Sequence, residues 1–371
     1  MNPNAHVNGR SREEVFRRLL LAWYDVHARD LPWRQDQDAY RVWVSEIMLQ
    51  QTRVAAVIEH YHEFLRRFPT MEKLAAARES SVLAAWSGLG YYRRARMLHR
   101  AAKLVVRKLG GELPTKAEGL RALPGVGRYT AAAIASIAFG EPTAVVDGNV
   151  ERVLQRFSGK RIPTEQAWQL AEVVLDRERP GDFNQAMMEL GATLCTPRTP
   201  SCLSCPVVEL CASRGELAVA GKSLPQKKRE IHYALDLRDE GVFLVRRPRN
   251  ARLMAGMWEL PELERSLGPT PKRQHRFTGE DHNKGVQGRG NARSQSGPLF
   301  TVRHAITTTD YTVHVWRMTR PRGAAGKRTA LEQLPRIALT GLARKILRKV
   351  QDLPLLPGCG PPGKILRPSL T

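Results

Sequence analysis

Residues Leu123 to Val150 read LPGVGRYTAAAIASIAFGEPTAVVDGNV, and the rest of the chain makes sense as support for them. Gly125 and Gly127 flank Val126 in a tight turn that opens a small-residue helix, expected over Arg128 to Ala138. Glycine lets backbone amides approach a ligand with no side chain between. Amides at the positive end of a helix form an anion site, so Gly125, Val126 and Gly127 are candidate phosphate contacts. Two readings of LPGVG stand at this point: an ordinary turn between helices, or a hairpin that grips a phosphate. Twenty residues on, Val145-Val146-Asp147-Gly148-Asn149 places a carboxylate just before the next helix, where an N-cap alone would explain it.

Composition narrows the class. A chain of 371 residues is too long for one ordinary core, so two or more domains are expected. The formal charge of +23 and pI near 10.4 suit a polyanionic partner. No apolar run approaches the ~20 residues of a spanning helix, and the start MNPNAHVNGRSREE has no secretory apolar core. A soluble, intracellular (cytoplasmic) protein acting on DNA is the expectation, with no membrane partner. With the amphipathic segment Ala117 to Ala122 before it, the LPGVG turn has the outline of a helix-hairpin-helix, which positions DNA without reading its sequence.

Residues 1–10 are expected to be a disordered tail, followed by a helix from Ser11 to His27 with Glu13 and Glu14 in its first turn. Leu31-Pro32-Trp33-Arg34 breaks it; Arg34 is a candidate base or phosphate contact and Trp33 either joins it or anchors the loop from inside. The next helix is expected to run from about Tyr40 to Phe68. In it Val42, Trp43 and Leu49 share a face with a single acid, Glu46. Burial there raises a carboxyl's pKa and makes it a proton donor near neutral pH. Gln51 follows with an amide suited to filling a gap in a base stack. Met71 to Trp86 reads as one helix, and the glycine-bounded loop after it carries Leu89 and Tyr91 beside Arg93, Arg94 and Arg96, a candidate wedge. Helices over Glu151 to Arg156, Glu165 to Asp176 and Phe183 to Leu194 complete a half with no convincing period-2 run, hence all-α.

Four of the five cysteines, Cys195, Cys202, Cys205 and Cys211, fall in a C-x6-C-x2-C-x5-C array, and Cys359 stands apart. Such a set suits a metal centre better than disulfides. Thiolates serve zinc and iron-sulfur clusters alike, and spacing alone leaves the choice open.

LPGVGRYT, VVDGN, VSEIMLQQT, the LGYYRRA loop and the cysteine array occur together in the order of the helix-hairpin-helix DNA glycosylases with a four-iron, four-sulfur cluster. Within that superfamily the chain resembles the MutY-type adenine glycosylases over roughly residues 12 to 260, and more weakly to about 345. The resemblance implies a base-excision-repair hydrolase that removes adenine mispaired with 8-oxoguanine or guanine. It also implies one 4Fe-4S cluster on the four cysteines, Glu46 as general acid/base, Asp147 as stabiliser of the charged transition state, and Tyr129 and Asn149 completing the pocket. Endonuclease III, the related alternative, has a catalytic lysine where this chain has Tyr129, and a phenol forms no Schiff base. A catalytically silent iron-sulfur DNA-binding protein is the other alternative, and nothing at Glu46 or Asp147 suggests inactivation.

The second half changes texture. A basic linker is expected over 213–230, then strands over Ile231 to Leu237, Gly241 to Arg247 and Tyr311 to Met318. Leu253 to Pro261 (LMAGMWELP) resembles the Nudix-like domain that closes MutY-type chains and helps recognise 8-oxoguanine, without the Glu-rich box of Nudix hydrolases. The layout expected is an all-α glycosylase half with its cluster loop over 11–212 and an α+β Nudix-like lesion-recognition domain over 231–349. Residues 264–298 read as a flexible insertion and 350–371 as a tail. At the expected lesion reader, His304-Ala305-Ile306-Thr307-Thr308 replaces the family's Phe-Ser-His element and keeps one hydroxyl, Thr307. The partner expected is duplex DNA carrying an adenine mispair, bound by a monomer.

Overall fold

In the computed structural model, residues 6–7, 10–217, 227–238, 240–263, 297–306, 309–321 and 323–351 are described. They form two compact units, Met1–Lys222 and Ser223–Thr371. The expected insertion 264–298 lies outside the described residues save its last two, as does the expected tail beyond Gln351.

In the first unit, α1 (Arg12–His27) starts with a capping box in which Ser11 and Glu14 satisfy each other's amides. Ahead of it His6–Val7 (β1) pairs with Arg10–Ser11 (β2), a short hairpin in a stretch expected to be disordered. Two expected helices are each broken in two. Tyr40 to Phe68 divides into α2 (Ala39–Leu49) and α3 (Val54–Arg67), because Gln51 takes a left-handed φ of 56°. Met71 to Trp86 divides into α4 (Met71–Ala76) and α5 (Glu79–Ala85), separated by extended backbone at Ala77 and Arg78.

The chain continues through α6 (Arg93–Leu109), the short α7 (Ala117–Leu120), α8 (Arg128–Phe139), α9 (Gly148–Ser158), α10 (Thr164–Val174) and α11 (Pro180–Thr193). The centre of this unit is α8, buried from Thr130 to Ile137 and packed against α2, α7 and α11. Its alanines and serine let neighbouring backbones come close. At Gly191 on α11 an added Cβ would stand 2.7 Å from Asn149 Cβ, so α9 and α11 meet backbone to backbone beside the VVDGN turn.

The second unit holds two four-stranded sheets. In one, β10 (Gly326–Ala330), β5 (Gly241–Arg246) and β4 (Leu237–Arg238) are neighbours and β6 (Trp258–Glu259) also pairs β5. The other has the order β7 (Glu262–Leu263), β3 (Lys227–Leu235), β9 (Thr309–Arg317), β8 (Phe300–Ile306), with β3 and β9 parallel. Strand β3 begins at Lys227, inside the stretch expected to be linker. Val242, Leu244, Val302, Val313 and Val315 meet Leu342, Ile346 and Leu347 of α12 (Gly341–Gln351) in one apolar core.

Gly125 sits at φ 82°, and a Cβ there would lie 2.5 Å from Met97 Cβ on α6. An L side chain in this backbone region costs about 1–2 kcal/mol before the clash is counted. Gly125→Ala is therefore expected to lower Tm by at least about 4 °C in a thermal melt. An unchanged Tm would mean the turn relaxes freely.

Candidate functional site

Glu46 is buried on α2, with 5% of its surface exposed. Tyr129, one residue into α8, donates its phenol hydrogen to Glu46 Oε2 at 2.8 Å. Burial pushes Glu46 up to about 7; the Tyr129 hydrogen bond opposes this, the nearby Asp147 carboxylate adds to it and Arg34 opposes it. Burial and the same two carboxylates hold the Tyr129 phenol well above its ordinary range. At neutral pH the acid is thus poised between its two forms.

Asp147 is the N-cap of α9. Its Oδ1 accepts from the amides of Asn149 (2.9 Å) and Val150 (2.7 Å), and its Oδ2 from Asn149 Nδ2 (2.9 Å). Burial pushes its pKa up, and these donors push it back. With Leu49, Gln51, Thr52, Arg53, Gly148, Asn149 and Arg152 it lines a cleft of about 480 Å³. Arg152 spans from this cleft to the cysteine loop, donating to Asn149 Oδ1 (2.8 Å), Gly191 O (2.7 Å) and Cys195 O (2.8 Å). The structure therefore brings Glu46, Tyr129, Asp147, Asn149 and Gln51 into one region.

Other expected contacts sit differently. Arg34 turns inward: it donates to Glu189 Oε2 (2.9 Å), Gln185 Oε1 (3.2 Å) and Arg29 O (3.1 Å), so it is no surface phosphate contact. Trp33 is buried, the anchoring reading of that turn. Leu89 is also buried, at 6% exposure, while Tyr91 stands out at 45% with φ 45°. Of the two, only Tyr91 presents its side chain to solvent. Val126 buries its side chain and donates its amide to Leu123 O (3.1 Å). Gly127 is the N-cap of that helix. Thr307 lies outside the described residues.

Sequence reasoning missed Glu189, which is 1% exposed on α11 and held by Arg29 and Arg34. Burial pushes its pKa up, but the two guanidinium groups overrule it and keep it low. Arg34 thus bridges the two acids: it is paired to Glu189 and lowers the pKa of Glu46. A polar residue four after Gln185 on a helix otherwise buried through Phe183, Ala186, Met187 and Leu190 was the available signal.

After α11, Cys195 comes first, Cys202 opens the single turn Cys202–Ser204 that Cys205 ends, and Cys211 ends the turn Val208–Leu210. Arg156, itself buried, donates to Cys195 Sγ (3.4 Å), Thr196 O and Pro197 O, and its own carbonyl accepts from Cys211 Sγ. A Cβ at Gly215 would come within 2.8 Å of Cys202 Sγ, so the loop closes tightly over that thiol. Burial and the neighbouring thiols push Cys202 up and Cys205 up to about 11, so ionising the set calls for a cation among them. Among the described residues only Glu230, His232 and His314 bring three ligand atoms within 4.8 Å of one another. The Glu230, His232 and His314 group is not set for a metal: the Trp316 indole donates to His232 Nδ1 (3.1 Å), so neutral His232 keeps its proton on Nε2.

Residues 44–173 match the HhH-GPD superfamily base excision DNA repair proteins, and residues 232–349 match the NUDIX domain. The chain is 34% identical over 329 residues to the adenine DNA glycosylase of Schizosaccharomyces pombe, covering 70% of this chain and 71% of that one. Against the adenine DNA glycosylase of Buchnera aphidicola subsp. Acyrthosiphon pisum the figures are 34% over 265 residues, 67% and 75%. The chain belongs to the adenine DNA glycosylase family. Its human member is 41% identical over 348 residues, covering 72% of this chain. The chain spans a little under two thirds of that human protein, 64%. A thermostable thymine-DNA glycosylase superposes with a TM-score of 0.53 at 31% identity, over 56% of this chain and 98% of its own. The adenine DNA glycosylase relatives thus extend over both units, whereas this solved neighbour covers about half the chain. Among the described residues no helix is long and apolar enough to cross a membrane.

A carboxyl raised by burial favours the folded state only while it is protonated. For Glu46 that stability is complete below about pH 4.5 and is lost as pH rises through about 7. Glu46→Gln is expected to gain on the order of 3 kcal/mol at pH 8 and little at pH 4.5. Denaturant melts at the two pH values check this, and an equal effect at both would mean the side chain is not held neutral.

Proposed function

We propose that the chain is a monofunctional adenine DNA glycosylase of base excision repair. It hydrolyses the N-glycosidic bond of adenine opposite 8-oxoguanine or guanine in duplex DNA. The observation that carries this reading is the buried Glu46, held by the Tyr129 phenol at 2.8 Å and pushed up to about 7, beside an Asp147 fixed by three donors.

Adenine is a poor leaving group. A proton passed from Glu46 to its five-ring nitrogen lets the base depart neutral, taking the electron pair of the glycosidic bond. The sugar is left as an oxocarbenium-like centre, which the Asp147 carboxylate stabilises. Water then adds to that carbon and returns its proton to the Glu46 carboxylate. Two carboxyls of unlike environment divide these roles as in other glycosidases. The base must leave the stack to reach Glu46, and exposed Gln51 and Tyr91 are the side chains placed to fill the gap. The glycine hairpin and the first turn of α8 grip the backbone through a phosphate. Tyr129 stands where a lyase needs its lysine, so the product is an abasic site and not a cut strand. The second unit acts as the lesion reader, with Thr307 as its candidate contact to 8-oxoguanine.

Cys195, Cys202, Cys205 and Cys211 hold one four-iron, four-sulfur cluster in this reading, which rests on their C-x6-C-x2-C-x5-C array and its place after α11. When bound, the cluster supplies the positive centre that keeps the thiolates together and so fixes the loop bearing Arg198 toward DNA.

The test is single-turnover excision on duplexes with adenine opposite 8-oxoguanine, guanine and thymine, read with and without alkali. Excision is expected on the first two, with strand cleavage only after alkali. Its rate should fall as pH rises past about 7, where Glu46 loses its proton, and fall again in acid as Asp147 gains one. Glu46→Gln should abolish adenine release while mispair binding survives, and Asp147→Asn should lose on the order of several kcal/mol of transition-state stabilisation. A normal rate in either variant removes the assignment.

Anaerobically purified protein is expected to be brown and to carry about four iron atoms per chain. Stripping the iron should weaken DNA binding while Glu46 and Tyr129 stay paired. Colourless protein with one equivalent of zinc would overturn the cluster reading.

A further inference from the structure

Gln51 and Tyr91, the two exposed side chains facing the DNA in the proposed reading, lie forty residues apart and share one unusual feature. Neither is glycine, yet both hold left-handed backbone, with φ of 56° and 45°. Such conformations persist only where the surroundings over-determine them.

Between the two turns lies the guanidinium of Arg94, from the first turn of α6. Its Nη1 donates to Ile47 O (2.7 Å), Met48 O (2.9 Å) and Gln50 O. Its Nη2 donates to Thr52 Oγ1 (3.0 Å), Leu89 O (3.3 Å) and Gly90 O (3.3 Å). The rings of Trp86 and Tyr91 flank it at 5.4 and 5.5 Å. No carboxylate pairs with it among the described residues, and Arg94 Nε is buried without a partner. The charge is offset instead by carbonyls, three of them at the negative end of α2, the helix that carries Glu46. Burial draws its pKa down to about 10, so it stays charged at neutral pH.

We infer that Arg94 is a positioning residue that locks the Gln50–Thr52 turn and the Leu89–Tyr91 turn to the end of α2, so that both wedge residues and the acid are set by one side chain. The inference rests on the proposed reading for what the turns touch, but not for the coupling between them. A flat guanidinium reaches both turns at once through its two terminal nitrogens. A lysine ammonium at the same place, with three donors on one atom, cannot span both. Arg94 is not among the groups acting on Glu46, so it works through geometry and leaves the acid's titration alone.

The test uses the full chain with Arg94→Lys and, as a milder variant, Thr52→Ala, which removes one acceptor. Amide hydrogen exchange without DNA reads the two turns. Fluorescence of 2-aminopurine opposite 8-oxoguanine reads base extrusion, and the pH midpoint of excision reads Glu46. Arg94→Lys is expected to speed exchange at 50–53 and 87–92 together, by tenfold or more, with the amides of α8 unchanged. Extrusion should slow about tenfold at an unmoved pH midpoint. Thr52→Ala should loosen its own turn and, through Arg94, the distant one by about threefold. Loosening of one turn without the other in both variants would overturn the inference, as would a uniform rise in exchange through α8 in Arg94→Lys with no response at 87–92 in Thr52→Ala. Failure of the unmodified protein to excise adenine would strike the proposed function and leave the exchange result standing.

Discussion

A carboxyl group kept out of water is the constraint on which the first unit depends. Glu46 is pushed up to about 7 because it is buried on α2 against α8, and the two close because α8 is rich in alanine, serine and threonine where most helices carry bulk. Dry packing of this kind destabilises a charged acid and leaves it a proton to donate near neutral pH. The same unit buries Glu189, which its pairs with Arg29 and Arg34 keep ionised.

The arrangement also concentrates tasks at one helix start. Gly127 caps α8, and two residues later Tyr129 donates its phenol hydrogen to Glu46. On the proposed reading, the grip on the DNA backbone and the orientation of the acid are separated by one residue, so they move together. Gln50 adds to this by donating from α2's end to Thr130 Oγ1 at 3.0 Å.

Much of this was legible in the sequence. Glu46 among Val42, Trp43 and Leu49 announced a buried acid by helical spacing, and the VVDGN turn announced Asp147 as the cap of α9, which the structure shows. What could not be read depended on distant partners. Gln50-Gln51-Thr52-Arg53 contains neither glycine nor proline, so nothing local marks the break between α2 and α3; the break is held by Arg94 from α6. Arg34 looked like a surface cation because its acid, Glu189, is 155 residues away. Leu89 and Tyr91 are two residues apart in one loop, and only the fold decides that one is core and the other exposed. In the second unit β3, β5 and β9 were visible by alternation, but β8 and β10 were not, nor was the parallel pairing of β3 with β9, since its partners lie more than seventy residues apart.

That pairing has a consequence for how the second unit tolerates change. The order β7-β3-β9-β8 puts Leu263 on one edge of the sheet and Phe300 on the other, so the chain leaves from one rim and returns at the opposite rim. The two middle strands share nine paired residues, whereas β7 holds β3 through only two, His232 with Leu263 and Tyr233 with Glu262. Change at the β7 rim therefore costs few ladder bonds, while the nine-residue register of β3 on β9 keeps the sheet in place.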